Sequence, residues 1–309
     1  MPDENAHAGL LREQSNRVSR RPAGQRLIPL RQNTARRCLV PKRWMDLAYG
    51  LDRLQMRVLP YVTGIHARRS NGLSQLIGSA FIIRVRGRDF VISAAHVLRE
   101  NKSSNLFCGT RALQPLEGGS IYRSDDVDVA VIPVKPRLHD ALLDVPRLRP
   151  EDTDVDDTPQ PGVLYTFAGY PSSRNKPNLA TKEISNQPTL FTAHSAPLPW
   201  YTRLGLTPET HIATRFPVRQ AREFHSPSVA APAPQGMSGG PVWRLGTPAE
   251  ISSGLIGERV IGIGIEYRQE TFIATRIAFA FAIIETIAPE LAQLLPHPRH
   301  GKINIREEF

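Results

Sequence analysis

Cysteine is nearly absent from this 309-residue chain. Its two residues, Cys38 and Cys108, cannot build the several bridges that hold a small secreted domain together, so no disulfide framework is expected. Aromatic residues make up only 7% of the sequence, against 27 Pro and 22 Gly. That balance favours short β-strands joined by tight turns over long helices. No apolar run is long enough to span a bilayer, and the N-terminus lacks the succession of charged, apolar and small residues of a secretory signal. The expected compartment is the cytoplasm. His66, His139, His194, His211 and His225 have neither short ligand spacing nor a cysteine partner, so no metal site is assigned and no cofactor is expected.

What is present is ordinary for a folded enzyme: 40% hydrophobic and 22% charged residues. The net charge of +10 is unevenly placed, because residues 1–43 hold ten Lys/Arg against three acids. This segment is polar, interrupted by Pro22, Pro29 and Pro41, and lacks periodicity, so it reads as a flexible basic arm. Contact with nucleic acid is the secondary reading of the arm, since arginine-rich termini are commonly just solvated. Its Pro content also argues against the amphipathic helix of an organelle transit peptide.

Beyond the arm, residues 44–138 form a first β-rich unit behind a short helix, where Leu47, Leu51 and Leu54 recur at three- and four-residue steps between Trp44 and Met56. Strands are predicted at Val58–Gly64, Gly78–Arg86, Asp89–Ala94, Asn105–Gly109, Ile121–Arg123 and Asp128–Val134, with Arg86-Gly87-Arg88 as a hairpin turn. Residues 139–161 are acidic and Pro-rich and read as a solvated linker. A second β-rich unit spans 162–280, with strands at Val163–Gly169, Ile184–Ser195, His211–Val218, Val242–Leu245, Val260–Tyr267 and Thr271–Ala280. Residues 281–309 hold a helix and tail, the helix running over Phe281–Leu295.

Three motifs carry chemistry. In Gly236-Met237-Ser238-Gly239-Gly240-Pro241, glycines flank a serine and allow neighbouring N–H groups to converge on one point, as an oxyanion hole requires. Taken alone, Gly-x-Ser-x-Gly also describes the nucleophile elbow of α/β-hydrolases or a plain turn. In Val91-Ile92-Ser93-Ala94-Ala95-His96, an apolar strand ends in small residues and presents an imidazole suited to a general base. In Asp128-Val129-Ala130-Val131-Ile132, a carboxylate enters an apolar strand and needs a partner to offset desolvation, which a histidine Nδ1–H supplies. Asp125 and Asp126 lie in a more polar stretch, so Asp128 is preferred.

Together and in this order, the motifs resemble those of the trypsin-like, chymotrypsin-fold serine peptidases. An α/β-hydrolase runs serine, acid, histidine, whereas no aspartate follows Ser238 here. Gly78-Ser79-Ala80-Phe81 resembles the strand before the histidine hairpin in bacterial members, and Ala168-Gly169-Tyr170-Pro171 their Gly-aromatic-Pro turn. The resemblance covers about residues 58–296 and implies an all-β fold of two packed antiparallel six-stranded barrels, with a C-terminal helix and the arm outside the match. It further implies peptide-bond hydrolysis through His96, Asp128 and Ser238, with the N–H groups of Gly236 and Ser238 as the oxyanion hole. Gln235, Gly262, Gly264 and Glu266 are the corresponding substrate contacts, although a solvent-facing Glu266 is the preferred reading.

The departures from the pattern also matter. Met237 stands where zymogen-type members place an aspartate, and no Ile-Val-Gly-Gly start is present, so the expectation is either constitutive activity or control by a regulatory partner or by rearrangement of the Gln235–Ser238 loop. Ala231-Pro232-Ala233-Pro234 lacks the acid that gives trypsin its preference for basic residues. The expected partner is a protein or peptide substrate. The competing reading is a silent double barrel retained for binding protein or nucleic acid.

Overall fold

The computed structural model describes residues 54–68, 70, 73–109, 114–116, 120–135, 142, 144–176, 187–217, 231–254, 257–296 and 303–308. The basic arm lies outside these residues, as do His139, His225 and most of the leading helix, of which residues 54–58 are helical. A turn of 3-10 helix at Leu59–Tyr61, entered through Pro60, delays the first strand from the predicted Val58 to Thr63.

The first half of the chain contributes β1 (Thr63–Arg68), β2 (Ser74–Val85), β3 (Arg88–Ala94), the short helix α1 (Ala95–Arg99), β4 (Leu106–Gly109), β5 (Gln114–Pro115), β6 (Ile121–Ser124) and β7 (Val129–Pro133). The second half contributes β8 (Leu164–Gly169), β9 (Thr189–His194), α2 (Leu198–Leu204), β10 (His211–Arg215), β11 (Pro241–Gly246), α3 (Pro248–Ser252), β12 (Arg259–Arg268), β13 (Thr271–Arg276), α4 (Ala278–Ile287) and β14 (Arg306–Glu308). They form two antiparallel sheets, ordered β14-β6-β7-β3-β2-β1-β4-β5 and β10-β13-β12-β11-β8-β9. The outer strands of the second sheet, β9 and β10, are joined by a bridge from Ser195 to Thr214.

The fold is therefore mostly β with few helices, as the turn-rich composition indicates. The first sheet has eight strands rather than six because the two-residue β5 and the tail strand β14 extend its ends. The long β2 serves two partners, pairing with β1 through its first half and β3 through its second. Hydrophobic residues of both sheets and α4 form a shared core that includes Phe81, Phe90, Val129, Trp243, Val260, Phe281 and Ile284. Full burial of each such side chain contributes roughly 1.5–3 kcal/mol.

Two expectations are corrected. The C-terminal helix begins at Ala278, three residues before Phe281, and stops at Ile287. Ala288 leaves the helical region (φ −145°, ψ 66°) because the ring of Pro289 disfavours it, and a 3-10 segment, Pro289–Leu294, follows. The acidic linker is not uniformly solvated. Leu148 pairs with Ile83 and Thr153 with Val260, so the segment stitches one sheet to the other. Its Asp157 is 7% exposed, accepting from Tyr165 Oη at 3.0 Å and pairing with Arg244 Nε at 3.0 Å. Burial raises the Asp157 carboxyl against the opposing pull of Tyr165 and Arg244.

Asp89 in β3 is a second buried carboxylate, 3% exposed and gripped by Arg84 (2.6 and 2.8 Å) and Arg147 (3.1 Å). Burial pushes its pKa up, but the hydrogen bonds and charges of Arg84 and Arg147 outweigh that and leave it lowered. A depressed native pKa stabilises the fold above the unfolded value of about 3.9, and the contribution disappears as pH falls through the native value. Asp89→Ala is expected to reduce stability by about 2–3 kcal/mol at pH 7. In urea titrations the gap between wild type and variant should shrink as the pH is taken below about 4.

Candidate active site

Strand register brings the first two candidate residues together. Ala94 at the end of β3 is paired with Val129 at the start of β7, so Asp128 lies beside the first turn of α1, which carries His96. The residue at the start of that helix, Ala94, has no side-chain acceptor for the unpaired N–H groups of the first turn. Asp128 supplies them from across the sheet. Its main-chain oxygen accepts from Ala95 N (3.2 Å) and its Oδ1 from His96 N (2.8 Å). Its Oδ2 lies 2.6 Å from His96 Nδ1. To do so Asp128 adopts a left-handed backbone (φ 54°), a conformation that aspartate tolerates better than most residues.

The imidazole is half-buried, and burial alone lowers its pKa. The hydrogen bond to Asp128 and the charges of Asp128 and Glu100 outweigh burial and raise it above the ordinary histidine value. Among the described residues, His96 Nε2 has no hydrogen-bond partner.

The third candidate, Ser238, sits in a loop clamped on every side. Gly239 N donates to Gly264 O (2.7 Å) and Gly264 N to Gly240 O (2.8 Å), fixing the loop to β12. Ser79 of β2 fixes it to the first sheet: its N–H donates to Ser238 O (2.7 Å) and its Oγ donates to Gly236 O (2.8 Å). The same Oγ accepts from Tyr170 N at 2.9 Å. Ser172 N donates to Gln235 O (2.7 Å), so the Gly236 N–H of that peptide unit points the opposite way. Neither the Gly236 nor the Ser238 N–H has an acceptor among the described residues. Gly236 (φ 90°) and Gly239 (φ 91°) hold left-handed conformations, and a Cβ on Gly239 would run into Ser79 O and Ser93 Oγ.

The Ser238 hydroxyl does not donate to His96. It donates to Ile265 O at 3.1 Å. A register shift between Gly264 and Glu266 leaves Ile265 outside the β12–β13 pairing, which frees its carbonyl for this bond.

The sequence of residues 78–247, more than half of the chain, matches the family described as a trypsin-like peptidase domain. The chain belongs to this family. The match includes His96, Asp128 and Ser238 and ends before β12. Among solved structures, the HtrA-type protease AlgW with a tripeptide is similar at 17% identity and a TM-score of 0.45. That similarity covers 77% of this chain and 64% of AlgW, so the present chain spans less than two thirds of AlgW's length. A structure concerning coupled folding and binding of the intrinsically disordered Sesbania mosaic virus VPg protein is similar at 14% identity and a TM-score of 0.40. It covers 70% of this chain and 87% of that one. No curated protein matches.

The remaining candidates of this trypsin-like peptidase domain separate. Gln235 is exposed on the serine loop and Gly264 touches that loop through both of its hydrogen bonds. Gly262 lies within the sheet, against Thr275 and Ile212 rather than the loop. The Glu266 side chain is 45% exposed and pairs with Arg268 at 3.4 Å. No group of three or more His, Cys, Asp or Glu suited to a metal occurs among the described residues, and no helix among them is long and apolar enough to cross a membrane. Sequence reasoning missed the linking role of Ser79, although it lies in the Gly78–Phe81 motif, and missed Ile265 altogether. A main-chain acceptor leaves no mark in residue identity.

Gly239→Ala is expected to fail to fold or to melt well below wild type, because both its left-handed backbone and the space beside Ser79 exclude a methyl group. Circular dichroism melting of the purified variant checks this.

Proposed function

We propose that this protein is a serine endopeptidase that cleaves protein substrates through an acyl-enzyme intermediate, with His96 as general base, Asp128 as its positioning partner and Ser238 as nucleophile. The observation that carries the reading is the 2.6 Å pairing of His96 Nδ1 with Asp128, with Nε2 unpaired among the described residues. An ionised Asp128 holds the proton on Nδ1, which keeps Nε2 as the acceptor of the neutral ring.

As Ser238 Oγ bonds to the substrate carbonyl carbon, its proton passes to His96 Nε2 and the carbonyl π electrons move onto oxygen. The N–H groups of Gly236 and Ser238 donate to that oxyanion, a contribution of about a hundred- to a thousandfold per donor. Collapse of the adduct breaks the C–N bond, and His96 delivers the proton to the departing amine. Water then attacks the ester, giving a proton to His96, and cleavage of the Ser238 ester bond returns that proton to Oγ.

The Ser238–Ile265 bond motivates a second reading, a resting or catalytically silent module used for binding, in which the hydroxyl stays on the β12 carbonyl. For the peptidase reading the Ser238 hydroxyl has to leave the Ile265 carbonyl, which rotation about its side-chain torsion permits. A regulatory partner acting on the Gln235–Ser238 loop is the corresponding means of control.

A fluorophosphonate probe distinguishes them. Wild type should label at Ser238, mapped by mass spectrometry, and both Ser238→Ala and His96→Ala should lose the adduct. A folded wild type that does not label supports the resting or silent reading, and labelling that appears only when a regulatory partner is added identifies the resting form. Because the base must be neutral and its pKa is raised, hydrolysis should rise with pH through a midpoint above the ordinary histidine value of about 6.5. Asp128→Asn removes the raising interaction, so that midpoint should move to lower pH while kcat falls by about 10⁴. Initial rates on a casein-type substrate across the pH range measure both effects.

A further inference from the structure

Helix α1 carries His96 but cannot hold itself in place. It is five residues long, little more than one turn, and a helix of that length is unstable alone. Ala95, Val97 and Leu98 bury one face of it in the core. Burial is non-directional, so it seats the helix without fixing its tilt or its rotation. Directional links are needed for that, and they converge on the four residues 125–128 between β6 and β7.

Each residue of this loop is tied to a different part of the chain. Asp125 Oδ1 accepts from Arg99 Nη1 at 3.0 Å and from Arg123 Nη1 at 2.5 Å, and its Oδ2 lies 3.5 Å from Arg306 Nη1. Asp126 Oδ2 accepts from Asn304 Nδ2 at 2.9 Å, and Val127 O accepts from Thr275 Oγ1. Asp128 holds the start of α1 and the imidazole. Because Arg99 is the last residue of α1, one loop grips the helix at both ends, through Asp128 at its start and Asp125 at its finish.

Asp125 is itself anchored. Arg123 is 5% exposed, and its Nη2 donates to Glu308 Oε1 at 2.6 Å in β14, the tail strand paired with β6. An isolated exposed ion pair contributes little, because ordering two long side chains offsets the attraction. A carboxylate already fixed by a buried arginine avoids half of that ordering when it pairs with Arg99. We infer that Asp125 is a positioning residue for His96: through Arg99 it fixes the far end of α1, with Arg123 and the tail strand as its anchor, and so keeps the imidazole aligned with Asp128. Its effect on rate rests on the serine-peptidase reading; its effect on the His96–Asp128 bond does not.

The test reads the bond and the rate separately. The Nδ1 proton in a short charge-assisted bond to a carboxylate resonates far downfield, and in protein with isotope-labelled histidine rings its loss in His96→Ala assigns it. The rate is that of fluorophosphonate labelling at Ser238. Folded Asp125→Ala should lose or broaden the downfield signal and label about tenfold more slowly, part of the roughly hundredfold that a misplacement of about 1 Å costs. Arg99→Ala, at a side chain 42% exposed, should act in the same direction and serves if Asp125→Ala does not fold. Arg99→Lys, which keeps charge and reach, should recover most of the labelling. The double variant should be no slower than Asp125→Ala alone, since both substitutions cut one link. An unchanged downfield signal in folded Asp125→Ala, or in Arg99→Ala where the former does not fold, overturns the inference whatever the labelling rate. A lost signal with an unchanged rate also overturns it, as does a double variant slowed by the product of the two single effects. Where wild type does not label, the peptidase reading loses its support and the downfield signal alone decides whether Asp125 positions His96.

Discussion

A buried backbone polar group must be paired, and Ser79 is where that constraint joins the two sheets. It has no exposed surface, yet its N–H holds Ser238 O, its hydroxyl spans Tyr170 N and Gly236 O, and its carbonyl accepts from Ser93 Oγ at 2.8 Å. A single residue on β2, through its main chain and its hydroxyl, thus ties together the serine loop, the turn after β8 and the end of β3 that leads to His96. The loop has little freedom left once these bonds form. Its glycines are the residues that allow main chain to approach main chain closely enough to make them.

Asp128 solves a different problem with the same economy. Helix α1 is one short turn with an alanine at its start, and its leading N–H groups need acceptors. One carboxylate and one carbonyl from the neighbouring strand satisfy them and simultaneously orient the imidazole. On the second sheet, Thr275 Oγ1 donates to Val127 O at 2.5 Å, so the residue preceding Asp128 is tied across the interface as well. The geometry of the histidine–aspartate pair is accordingly a property of the two-sheet assembly rather than of the first sheet alone.

Much of this organisation was legible in residue types. Apolar runs bounded by turn residues placed the β2–β3 hairpin, whose turn residues Arg86 and Gly87 are both left-handed, and the β12–β13 hairpin. The elements that escaped were those without a periodic signal. Helix α2 is seven residues long and begins at prolines, β5 has two residues, and β14 is a charged tail whose Glu308 pairs with Arg123 at 2.6 Å. The burial of Asp157 was equally invisible, because its partners Tyr165 and Arg244 arrive from β8 and β11 and no local pattern announces them.

The sequence by itself determined the identity and order of His96, Asp128 and Ser238, the glycines that a tight serine loop demands, and the β-rich class, because these depend on residue chemistry and local periodicity. Only the tertiary structure decided where the Ser238 hydroxyl rests, since its acceptor is a main-chain oxygen freed by a bulge in β12. Only the tertiary structure likewise gathered Phe216, Tyr267 and Phe272 beside Met237. Tyr267 and Phe272 share the β12–β13 hairpin, but Phe216 lies 51 residues before Tyr267, and such side chains meet only after the strands have paired.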